Sequence, residues 1–65
     1  MEQLEAMVET INKQLSLIID ARDDIRALMR IDASINNAEI ATRVLTDAKN
    51  KLKVAAQNLI DLLSV

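Results

Sequence analysis

The sequence predicts an all-α fold, an antiparallel two-helix hairpin that dimerises into a four-helix bundle. Three observations lead there. The 65 residues include no Gly, no Pro and no aromatic residue, so the side chains that favour turns and pleated surfaces are missing. What remains is rich in Ala, Leu, Glu, Gln, Lys, Arg and Met, the strong helix formers. Apolar residues then recur in alternating steps of three and four in both halves of the chain, but the two repeats are out of phase.

The first helix is expected over about residues 2–31. Leu4, Val8, Ile11, Leu15, Ile18, Ile25 and Met29 form its seam, interrupted by Arg22. Glu2, Glu5 and Glu9 occupy the opening turns, where acids complement the helix dipole. Continuing this repeat would place Asn36, Glu39 and Arg43 at core positions. A single rod would therefore carry its apolar seam to the opposite face at mid-length, whereas a hairpin resets the phase.

A turn is expected over about 32–36, where Asp32, Ser34, Asn36 and the adjoining Asn37 compete with helix through local side-chain bonds. Asn36 would cap the second helix, with Glu39 completing a capping box. That helix is expected over about 37–64, and 1–65 forms one hairpin domain. Its seam reads Ala38, Ala41, Leu45, Ala48, Leu52, Ala55, Leu59 and Leu62. Ala41, Ala48 and Ala55 repeat every seven residues, a row small enough to let two helix backbones approach closely. The expected core combines both seams: Leu4, Val8, Ile11, Leu15, Ile18, Ile25 and Met29 against Leu45, Ala48, Leu52, Ala55, Leu59 and Leu62. Exposed pairs at i,i+4, namely Glu9 with Lys13, Glu39 with Arg43 and Asp47 with Lys51, would support both helices.

Composition then asks for a partner. A chain this short buries only roughly 60% of its unfolded surface and needs a staple. Without cysteine there is no disulfide, and with histidine also missing structural zinc is nearly excluded. Oligomerisation is the staple left. At 51% hydrophobic, the chain carries more apolar surface than one seam per helix can bury. Leu17, Ile19, Ile40, Val44, Val54 and Ile60 lie off or beside the seams and are expected to form the interface with a second copy, or with a helix of another protein. Arg22, in a core position, is expected to select register and partner, with Asp47 across the pair. Gln14 and Asn58 flank the seams as weaker examples.

Enzymatic chemistry is hard to assemble without His, Cys or Tyr. No catalytic, cofactor-binding or metal-binding residue is expected, and no small-molecule substrate. Asp20, Asp23 and Asp24 cluster, but Arg22 and Arg26 are interleaved with them, which reads as a solvated, charge-paired face. The net charge of −2 does not imply a polyanionic partner. Lys49, Lys51 and Lys53 with Arg43 form the basic run, yet consecutive odd positions spread around a helix. Two copies could still pool them, so the alternative reading is a small dimeric helical nucleic-acid-binding regulator. Apolar runs reach three residues, as in Leu17-Ile18-Ile19, far short of a membrane span. With an acidic start and no visible signal peptide, a cytoplasmic location is expected. The reading is a non-enzymatic protein–protein interaction module with an oligomerising, adaptor or inhibitory role.

Overall fold

Residues 1–30 and 35–64 are described in a computed structural model of the chain. Two helices account for nearly all of them: α1 over Glu2–Leu28 and α2 over Ile35–Leu63. At 27 and 29 residues each is about 40 Å long. The amide of Glu5 starts the ladder on the Met1 carbonyl at 3.1 Å, and the amides of Met29 and Arg30 close α1 on Ile25 and Ala27. The expected turn residues Asp32 and Ser34 lie outside the described residues. Asn36 lies within α2.

Two bonds between the helices fix their direction. Asn58 Nδ2 donates to Gln14 Oε1 at 3.0 Å, and Lys51 Nζ donates to Asp24 Oδ2 at 2.8 Å. As the chain ascends α1 its partner positions descend α2, so the pair is an antiparallel hairpin. The molecule is a single layer, with principal extents of 53 × 17 × 10 Å. Its radius of gyration, 15.4 Å, compares with about 11 Å for a compact domain of this length.

The helices meet through a face different from the one the apolar repeat predicts. The residues withdrawn from solvent in α1 are Thr10, Gln14, Leu17, Ala21, Asp24 and Leu28, joined by Ile18 and Ile25 to one side. In α2 they are Ala41, Val44, Ala48, Lys51, Ala55, Asn58 and Leu62, joined by Leu59. The alanine row packs where it was expected, with Ala48 fully buried. Ala21 of α1 is buried too, so the helices touch through small residues, which allow the close approach that long side chains would block. Of the predicted core, Ile18, Ile25, Leu59 and Leu62 are half-buried at this contact, while the other large residues lie outside it. Leu4 is 54% exposed and Val8 56%, and Ile11, Leu15, Met29, Leu45 and Leu52 are also exposed. Each helix is turned so that its large apolar stripe lies beside the contact instead of in it.

Candidate interaction surface

The two exposed stripes belong to one surface. In α1 the stripe is Leu4, Val8, Ile11, Leu15, Ile18, Ile25 and Met29, with Arg22 set among them. At about 100° per residue it is centred about 110° around the helix from the residues that contact α2. In α2 the stripe is Leu45, Leu52, Leu59 and Leu63, about 80° from the contact in the same rotational sense along the chain. Because the helices are antiparallel, equal rotations along the two chains turn in opposite senses when viewed down a common axis. Both stripes therefore arrive on the same side of the hairpin. The half-buried Ile18, Ile25 and Leu59 lie on that side of the contact and join the stripes into one continuous apolar face.

The contact between the helices is chemically unlike this face. Gln14, 5% exposed, accepts from Asn58 and donates its own Nε2 to the Thr10 carbonyl at 3.1 Å. No buried side-chain nitrogen or oxygen among the described residues lacks a partner. Lys51 bonds Asp24 from a half-buried position. The bond to Asp24 raises the Lys51 pKa from the ordinary 10.5; desolvation opposes it, and the charges of Asp24, Asp20 and Asp47 add to the rise. Of the positions singled out in the sequence, Gln14 and Asn58 are thus brought together, while Asp24–Lys51 was legible only with the register in hand. Arg22 turns to its neighbour, bonding Asp23 Oδ1 through Nε and Nη2 at 3.3 and 3.2 Å. Asp47 is exposed beside Lys51 on α2.

The six expected interface residues separate into groups. Leu17 and Val44 are half-buried between the helices. Ile19, Ile40, Val54 and Ile60 are exposed, but by the same rotation Ile40 and Val54 face away from the apolar stripes and Ile19 and Ile60 lie on the outer flanks. Sequence reasoning assigned the larger surface, Leu4 to Leu15 with Leu45 and Leu52, to the hairpin core. The basic run is partly engaged: Arg43 pairs with Glu39 at 3.0 Å and Lys51 with Asp24. Glu9 and Lys13 form the expected pair at 3.7 Å. Among the described residues no three carboxylates converge as metal ligands, and no helix is long and apolar enough to cross a membrane.

No protein-family model matches the chain, and no curated protein or solved structure matches it. Fold class and surface chemistry are therefore what a functional reading rests on.

Proposed function

We propose that the chain is a non-enzymatic protein–protein interaction module whose working part is the apolar face shared by the two helices. The observation that carries this is the exposure of Leu4, Val8, Ile11 and Leu15 beside Leu45 and Leu52 on one side of a single-layer hairpin. Stable domains stack two layers around a core, and here a single layer carries a core-like apolar face on its exposed side. Its heptad spacing suits the ridges of other helices, which favours a helical partner surface and a four-helix arrangement. An oligomerisation, adaptor or inhibitor role suits such a surface.

The test is to express the tagged chain in its native cell and size it in extract, alongside two variants. Ile11→Glu with Leu52→Glu charges the apolar face; Lys13→Glu with Lys53→Glu charges other exposed positions. The wild type and the second variant should elute as an assembly well above 7.2 kDa, and the first should not. Elution of all three as a folded single chain would overturn the reading.

A further inference from the structure

We infer that the occupant of the apolar face is a second copy of this chain, laid face to face with its turn at the opposite end. This rests on the proposed role of that face and names its partner. The first argument is area. The chain exposes 5369 Å², whereas a folded monomer of its mass exposes about 4,100 Å². The excess, about 1,300 Å² per chain, is what each partner gives up in a permanent two-chain interface. A copy of the same single layer covers a face of the same length and width, leaving none of it over.

The second argument is the spacing of the α1 stripe, which reads the same in both directions. Laying α1 antiparallel on its own copy pairs Leu4 with Met29, Val8 with Ile25, Ile11 with Arg22 and Leu15 with Ile18. Every stripe residue meets another stripe residue. The register that joins Gln14 to Asn58 then carries Leu52 of α2 onto Leu59 of the copy. A stripe that is its own antiparallel complement is what a two-fold axis across the helices requires.

Arg22 selects between the two ways of stacking hairpins. With both turns at one end, the two Arg22 side chains enter the same core layer, and like charges with few partners there are costly. With the turns at opposite ends, they sit in separate layers about 17 Å apart along the bundle. Each guanidinium then faces Ile11 of the copy, with its stem over apolar surface and its head free to reach the edge.

The test combines mass and distance on the purified chain. Sedimentation equilibrium near 100 μM should give twice 7.2 kDa. A single cysteine at the exposed Glu2, in a chain otherwise without cysteine, takes a spin label. Opposed turns place the two labels about 45 Å apart by pulsed dipolar spectroscopy, and aligned turns place them at about 20 Å. The short distance would overturn the orientation. A single-chain mass, or a mass of four chains, would overturn the second copy as sole occupant. If the purified chain is a monomer yet the wild type still assembles in extract, this inference fails and the interaction role stands. If it is monomeric in extract as well, both fail.

Discussion

The surface between α1 and α2 and the surface beside it were built for different tasks. The first holds Ala21, Ala48 and Ala55 with a Gln14–Asn58 bond and an Asp24–Lys51 ion pair, alongside the half-buried Leu17, Leu28, Val44 and Leu62. The second holds leucine, isoleucine and valine almost without interruption. Small residues let the helix axes approach, and directional polar bonds fix one register, but together they remove little apolar area from water. Large aliphatic side chains do the reverse, contributing roughly 1.5–3 kcal/mol each when covered and little register of their own. In this molecule register is decided within the hairpin, and most of the larger aliphatic side chains are left on its exposed face.

Breaking the face should have the largest effect. Leu15→Glu sets a charge among apolar residues, and we expect a loss of more than about 3 kcal/mol per chain in assembly stability. Sedimentation and helical circular dichroism, followed on dilution, read that loss; unchanged mass and helicity would show that Leu15 remains in water. A gentler version sharpens the same contrast. Ile11→Ala should cost about 2–4 kcal/mol if the face is covered and within about 0.5 kcal/mol if it stays exposed, as urea melts will show.

The surface between the helices should respond less. Ala48→Leu forces a large side chain into a fully buried alanine site, and overpacking of this kind costs about 1–3 kcal/mol. A melting temperature equal to that of the wild type would mean the backbones are not held close. Asn58→Ala leaves the buried Gln14 oxygen without its donor, at about 1–3 kcal/mol, while replacing both residues by leucine should cost less than the single change. The smallest effect is electrostatic. A raised Lys51 pKa means that its protonated form favours the fold. That contribution is complete below the ordinary value of 10.5 and fades as pH climbs through the higher folded value. The melting temperature should therefore decline slightly more at high alkalinity in the wild type than in Lys51→Met, and equal slopes would remove the ion pair from the account.

The helices themselves were legible because composition leaves no alternative, and the phase shift between Met29 and Ala38 called for a hairpin. The row Ala41, Ala48 and Ala55 was legible for the same reason that it works, its seven-residue repeat. Which face each helix turns to the other was not. A periodic count ranks faces by hydrophobicity and assumes the most apolar one is spent on the nearest neighbour. Here Gln14, Asp24, Lys51 and Asn58 occupy that contact, polar residues that such a count assigns to solvent. Their mutual bonds became readable only when the antiparallel register set one opposite the other.

Among the described residues no large side chain is fully buried within the hairpin. The consequence reaches into turnover. A chain with its bulk on the outside opens at little cost when alone, and proteases cut at a rate set by the population of the open form. Newly made copies that fail to find cover would be cleared quickly, while covered ones persist. The lifetime of the chain would then rise with its own abundance, with no dedicated sensor.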